Sequence, residues 1–205
     1  MVEHQLRRRG ISDERVLAAM GKVPRERFVS EETRDLAYED GALPIGHGQT
    51  ISQPYIVGVI CSLLALDGSE SVLDVGTGSG YQAAVLAELA TEVTTIERIP
   101  ELVELARTAL AEAGYENVDV RLGDGSLGVP EKAPFDGIAV AAAAPTTPVR
   151  LYDQLAQQGR LVLPRGSRYG QDLVQVVKTE EGPVERRSVP CRFVPLLGAE
   201  GFPGG

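Results

Sequence analysis

Ser71-Val72-Leu73-Asp74-Val75-Gly76-Thr77-Gly78-Ser79-Gly80-Tyr81-Gln82-Ala83-Ala84-Val85-Leu86-Ala87-Glu88-Leu89-Ala90 decides the fold. A short apolar run breaks at three alternate glycines and resumes as an alanine- and leucine-rich segment, the pattern of strand, tight loop and helix that opens a βαβ unit. The glycines let the loop backbone approach a ligand and adopt φ values that other residues avoid. Asp74 falls at the carboxyl end of the strand, where open α/β sheets bind their ligands. Glu97 closes the next such run, Glu92-Val93-Thr94-Thr95-Ile96-Glu97, about twenty residues on. A carboxylate there accepts both hydrogen bonds from a ribose diol. The two acids mark a nucleoside-cofactor site, with Gly76, Thr77 and Gly78 in the loop and Arg98 beside Glu97.

The glycine spacing narrows the choice of cofactor. Dinucleotide loops read G-x-G-x-x-G and aim a helix N-terminus at a pyrophosphate. Here the spacing is Gly76-x-Gly78-x-Gly80, and Tyr81 stands where the third dinucleotide glycine would be. Asp74 would repel a pyrophosphate and attract an ammonium group. S-adenosylmethionine carries an ammonium and a sulfonium and has no phosphate. The D-x-G-x-G-x-G pattern resembles the cofactor loop of Rossmann-like methyltransferases, and the charge argument points the same way.

The 205 residues, 43% hydrophobic and 24% charged, suit one globular domain with a sizeable core. A net charge of -9 argues against a large phosphate-binding surface, so no nucleic-acid partner is expected. No apolar run reaches membrane-spanning length, and the N-terminus, with Glu3, His4 and Arg7-Arg8-Arg9, lacks a signal-peptide core. The expectation is a cytoplasmic monomer with no membrane partner. Cys61 and Cys191 fit no zinc or redox spacing, so no metal is expected.

Flanking segments continue the alternation. Residues up to about Val29 read as helical and polar, with Ser12 as N-cap and Val16, Leu17 and Met20 along one side, broken at Pro24. Ala37 to Pro54 reads as an irregular Gly/Pro-rich loop, long enough to be functional. Ser52 reads as the N-cap of a helix with Pro54 in its first turn and Ile56 to Leu66 as its apolar body. Pro100 to Ala113 is a helix ended by Gly114, Val118 to Leu122 a strand, and Phe135 to Ala141 a near-continuously apolar strand. Pro148 to Gln158 reads as a helix capped by Gly159, and Arg160 to Pro164 as the next strand. Asp172 to Thr179 and Glu185 to Pro195 read as an antiparallel pair at the sheet edge, before a frayed end from Gly201 to Gly205.

The predicted architecture is a doubly wound α/β domain with a mostly parallel seven-stranded sheet and an N-terminal helical addition. Its parts are N-terminal helices and active-site loop (1–66), cofactor-binding core (71–164), and C-terminal strands and cover (165–205). Asp124, at the end of the third strand, is placed to accept from an adenine amino group, with the Gly125 N–H beside it. His4 and His47 are the only histidines. The lack of an obvious base suggests an acceptor already nucleophilic at neutral pH, and a carboxylate fits.

Several segments resemble the protein-L-isoaspartate O-methyltransferase family, in order along nearly the whole chain. They are Val23-Pro24-Arg25-Glu26-Arg27-Phe28-Val29, Ala37-Tyr38-Glu39-Asp40, Leu43 through Tyr55 (with Gln49-Thr50-Ile51-Ser52-Gln53-Pro54), Gly123-Asp124-Gly125, Ala133-Pro134-Phe135-Asp136, Ala142-Ala143-Ala144-Pro145 and Arg192-Phe193-Val194-Pro195-Leu196. The resemblance implies methylation of the free α-carboxylate of isoaspartyl residues in damaged proteins and peptides. It also implies that Ser52 is the active-site serine that orients that carboxylate, and that Thr50 and Ile51 lie beside the cofactor. Asp74, Gly76, Glu97, Asp124 and Gly125 would bind the cofactor, and Val194-Pro195-Leu196 would close the site over peptide and cofactor. The chain departs from the family pattern at Ser126, at Ala141, and after Leu196, where Leu197-Gly198-Ala199 leads into a glycine-rich end. Two rivals stay open at this level, a methyltransferase of another acceptor and a silent cofactor- or peptide-binding module.

Overall fold

The structure is a computed structural model and describes residues 1–203. The N-terminal segment is less continuous than its sequence suggests. Short helical turns at Val2–Leu6 and Arg7–Arg9 precede helix α1 (Glu14–Lys22), and a 3-10 turn follows at Arg25–Phe28. Asp13, not the expected Ser12, caps α1, its Oδ1 accepting from the N–H groups of Arg15 and Val16 at 3.0 and 3.4 Å. A carboxylate serves two orphan donors at once and faces the positive end of the helix. Val16, Leu17 and Met20 are buried, as their spacing requires, while Arg7 pairs with Glu3 and Glu14 at the surface.

The loop expected from Ala37 to Pro54 contains regular structure. Strands β1 (Leu43–Gly46) and β2 (Gln49–Ile51) form an antiparallel hairpin. The turn is His47-Gly48, with φ of 52° and 70°, the left-handed pair that a two-residue hairpin demands. The glycines therefore build the hairpin instead of preventing it. Helix α2 (Pro54–Leu64) follows, with Gln53 at its N-cap, and ends two residues short of the expected Leu66 at Ala65, whose φ is 49°.

A seven-stranded sheet forms the centre. Its strands are β3 (Ser71–Val75), β4 (Glu92–Glu97), β5 (Val118–Leu122), β6 (Phe135–Val140), β7 (Leu155–Gly166), β8 (Gln171–Thr179) and β9 (Gly182–Cys191), in the order β5-β4-β3-β6-β7-β8-β9. The first four pairings along that order are parallel and the last two antiparallel. The strand order reverses between β4 and β6, at β3, which is the switch point where such sheets hold ligands.

Helices α3 (Tyr81–Ala87), α4 (Pro100–Ala113) and α5 (Val149–Asp153) connect these strands. Val72, Leu73 and Val75 of β3 and Ala83 to Leu86 of α3 are almost fully buried, which fixes the glycine loop between two rigid elements. The expected helix from Pro148 to Gln158 is cut short, and β7 begins at Leu155. Buried Gln154 explains the stop: its amide donates to the carbonyls of Leu127 and Arg150 and accepts from the Val129 N–H, pinning the chain where the strand starts.

The end expected to fray at Gly201 folds back instead, the Phe202 N–H donating to the Leu196 carbonyl at 2.7 Å. Residues 204–205 of that segment lie outside the described residues. Among the described residues no helix is long and apolar enough to cross a membrane.

Candidate active site

The glycine loop leaves β3 at Gly76 and enters α3 at Tyr81, and Gly76, Gly78 and Gly80 all have positive φ, at 93°, 53° and 91°. Its N–H groups are largely spent on the protein itself. Gly76 and Thr77 donate to the Ile96 carbonyl, Gly80 to the Thr77 carbonyl, and Gly78 to Glu97 Oε2 at 3.0 Å. A loop that binds a pyrophosphate keeps these donors for the anion. This one does not, which suits a nucleoside cofactor without phosphate.

Beneath the loop, Asp74 is completely buried. Its Oδ1 accepts from Gln82 Nε2 and its Oδ2 from the Thr95 hydroxyl, both at 2.8 Å, while Thr95 also meets the Thr77 hydroxyl at 2.6 Å. The chain Thr77–Thr95–Asp74–Gln82 ties loop, neighbouring strand and helix together. Burial pushes the Asp74 pKa up to about 6, against the bonds from Gln82 and Thr95 and with a further push from the Glu97 charge. The expected direct contact of Asp74 with a cofactor ammonium is not what the geometry provides. The carboxylate lies below the loop, outside the lining of the cavity, and acts on it as a buried anion that also sets the loop's shape.

Above the loop opens a cavity of about 310 Å³. It gathers Thr50, Ile51 and Ser52 after the hairpin; Gly76, Thr77 and Gly78; Glu97 and Arg98; Gly125; and Val194, Pro195 and Leu196. Glu97 is held at the end of β4, its Oε1 accepting from the N–H groups of Arg98 and Ile99 at 2.8 and 3.1 Å. With the Gly78 bond, three of its roughly four lone-pair sites are used. A ribose diol would take the remaining site and compete with Gly78 for its own.

Ser52 lies between β2 and α2 and belongs to neither. It is not the N-cap: Gln53 stands in the capping position, with Pro54 at the first helical position. Ser52 lines the cavity, and among the described residues its hydroxyl has no hydrogen-bond partner. Gln53 turns the other way, its amide donating to Asp40 Oδ1 at 2.8 Å.

Asp124 departs from its expected role. Its Oδ1 accepts from the Ser126 N–H and hydroxyl, its Oδ2 accepts from the Ala199 N–H at 2.8 Å, and it does not line the cavity, whereas Gly125 does. Burial opposes its ionisation, but the bonds from Ala199 and Ser126 outweigh burial and lower its pKa. The unusual residues after Leu196 fit this arrangement. A Cβ at Gly198 would lie 2.1 Å from Asp124 Oδ1 and 2.5 Å from the Ser126 hydroxyl oxygen, so the small Ser126 and Gly198 pack as a pair. The Glu200 N–H then donates to Ser126 Oγ at 3.0 Å.

A family model described as Protein-L-isoaspartate(D-aspartate) O-methyltransferase matches residues 1–201. The chain belongs to the protein-L-isoaspartate O-methyltransferase family. It is 57% identical to "Protein-L-isoaspartate O-methyltransferase 2" of Marinobacter nauticus, covering 99% of this chain and 94% of that one. It is 54% identical to the protein-L-isoaspartate O-methyltransferase of Methanoculleus marisnigri, covering 100% and 93%. A solved Plasmodium falciparum structure, a putative protein-L-isoaspartate O-methyltransferase in complex with S-adenosyl-L-homocysteine, aligns with a TM-score of 0.83 at 27% identity over 96% of each chain.

Sequence reasoning missed several residues of the protein-L-isoaspartate O-methyltransferase cavity, among them Tyr81, Gln82, Ile99 and Pro100. The first two open α3 just after the glycine loop and the last two follow Arg98 into α4, so the signal available was position in the chain. Arg25 was visible only as part of a family motif, and nothing in its neighbours announces its burial.

Proposed function

We propose that the chain transfers a methyl group from S-adenosylmethionine to the free α-carboxylate of L-isoaspartyl residues, and to the free β-carboxylate of D-aspartyl residues, in damaged proteins and peptides. The observation that carries the reading is the convergence of Ser52, Glu97 and the glycine loop on one cavity, with the serine hydroxyl uncommitted. Glu97 holds the ribose, the loop Gly76–Thr77–Gly78 packs against the nucleoside, and Thr50, Ile51, Arg98 and Gly125 complete the cofactor wall. When bound, S-adenosylmethionine supplies a methyl group on a positively charged sulfur. Asp74 below the loop favours that charge without touching it.

The acceptor carboxylate, with a pKa near 4, needs no general base. The protein's share of the chemistry is to align it and exclude water. Ser52 donates a hydrogen bond from its hydroxyl to one carboxylate oxygen and leaves the other free to attack. Val194, Pro195 and Leu196 close over the peptide. In the product ester the following backbone amide nitrogen attacks the ester carbonyl and methanol leaves, giving a succinimide that water reopens partly to normal aspartate, which makes the reaction a repair. The whole chain, from the N-terminal helices through the core to the C-terminal cover, works as one methyltransferase domain. We read it as a cytoplasmic monomer without nucleic-acid or membrane partners, a reading supported by the net charge of -9.

The test is repair itself. An isoaspartyl peptide incubated with the protein and S-adenosylmethionine should lose isoaspartate over repeated cycles and gain the normal aspartyl form by chromatography. Methyl incorporation with no gain of aspartyl peptide would place the methyl group elsewhere and refute the assignment.

A further inference from the structure

We propose that Arg25 is a positioning residue for methyl transfer, gripping the carbonyl of Ser52 so that the serine hydroxyl is held where the acceptor carboxylate must lie. The inference rests on Ser52 as the residue that orients the acceptor.

Arg25 is fully buried, and among the described residues no carboxylate pairs with it. A buried guanidinium without a carboxylate costs stability, and Nη1 has no partner here, so the cost is offset only through the bonds that Nε and Nη2 make. Both of its bonds go to backbone carbonyls of the active-site segment: Nε donates to Ala37 at 2.7 Å and Nη2 to Ser52 at 2.8 Å. The guanidinium also lies 4.6 Å from the centre of the Tyr81 ring, and Tyr81 opens the helix after the glycine loop and lines the cavity. One side chain thus connects the two ends of the serine segment to the start of the cofactor helix.

Ser52 needs such a hold. Strand β2 ends one residue before it and α2 begins two residues after it, so no regular backbone bonding fixes its carbonyl. Gripping that oxygen sets the peptide plane that follows Ser52 and with it the direction of the Cα–Cβ bond. The planar guanidinium reaches two carbonyls at a fixed separation, and a lysine ammonium, a single point on a flexible stem, does not reproduce the span.

A double-mutant cycle tests this, with turnover of an isoaspartyl peptide and equilibrium binding of S-adenosylmethionine measured in parallel. Arg25→Lys should lower kcat about tenfold or more, since small misplacements of reacting groups carry rate losses of that order. Cofactor affinity should stay within about twofold, because no atom of Arg25 reaches the cavity. In a Ser52→Ala background the same substitution should change kcat less than about twofold, because the hydroxyl it positions is gone. Equal losses in both backgrounds, or a matching loss of cofactor affinity, would make Arg25 a core residue and overturn the proposal. If Arg25→Lys does not fold, Arg25→Gln serves in its place, and failure of both to fold would likewise assign Arg25 to the core. Full activity of Ser52→Ala alone would instead refute the role of Ser52, a separate outcome.

Discussion

Asp74 is an ionisable group buried without a cation, and replacing it with asparagine should reveal what its charge costs. Its pKa of about 6 in the folded protein stands against an ordinary value of 3.8. Below the ordinary value the carboxyl is protonated in both folded and unfolded chains, and nothing is lost. As pH rises toward 6 the unfolded chain ionises first, and stability falls until the folded group ionises too. Above that point the full difference applies, about 3 kcal/mol for a gap of about two pH units. The asparagine side chain is nearly isosteric and satisfiable, its Oδ1 accepting from Gln82 and its Nδ2 donating to Thr95. The stability of Asp74→Asn relative to wild type should therefore rise by about 3 kcal/mol between pH 3 and pH 7. For a chain of this size that is about 6–12 °C in relative Tm. Paired thermal melts across that range measure it, and other carboxylates cancel between the variants. A difference in Tm that does not change with pH, or that moves the other way, would refute the reasoning.

Further expectations concern the cavity. Ser52→Ala should lower kcat about 10- to 100-fold, the worth of one hydrogen bond to a charged group, with cofactor affinity nearly unchanged. Parallel losses in steady-state kinetics and calorimetry would make Ser52 a cofactor or structural residue. Glu97→Ala should weaken S-adenosylmethionine binding about 100-fold or more, because it removes the ribose acceptor and frees the Gly78 N–H; titration calorimetry showing unchanged affinity would sink the ribose role. Gly198→Ala should lift the C-terminal segment off Asp124 and Ser126, losing the bonds from Ala199 and Glu200. That should lower stability by about 2 kcal/mol and Tm by about 4–8 °C, and an unchanged melt would show the segment is not held there.

What the sequence revealed was periodicity and punctuation. The run from Ser71 to Ala90 exposes strand, loop and helix because its apolar residues and glycines act locally, and Glu97 follows at the interval a βαβ unit sets. The hairpin at His47-Gly48 was hidden because a histidine at positive φ carries no strong signal, and Pro44 beside Gly46 reads as irregular chain. Gln154 stopped a helix through contacts with Leu127 and Val129, more than twenty residues away, which no local pattern contains. The site shows the same divide. Glu97 at its strand end and the glycines of the loop meet in one cavity. The carboxylates of Asp74 and Asp124 lie at strand ends, yet they are engaged by Gln82, Thr95 and Ala199 and neither residue lines the cavity, and side-chain direction is a tertiary property.

The most direct measurement compares an isoaspartyl peptide with its normal-aspartyl twin, using S-adenosylmethionine labelled in the methyl group. Base-labile label on the isoaspartyl peptide alone, incorporated about 10- to 100-fold more slowly by Ser52→Ala, is the predicted result. Label on both peptides, or on neither while the cofactor still binds, would contradict the account.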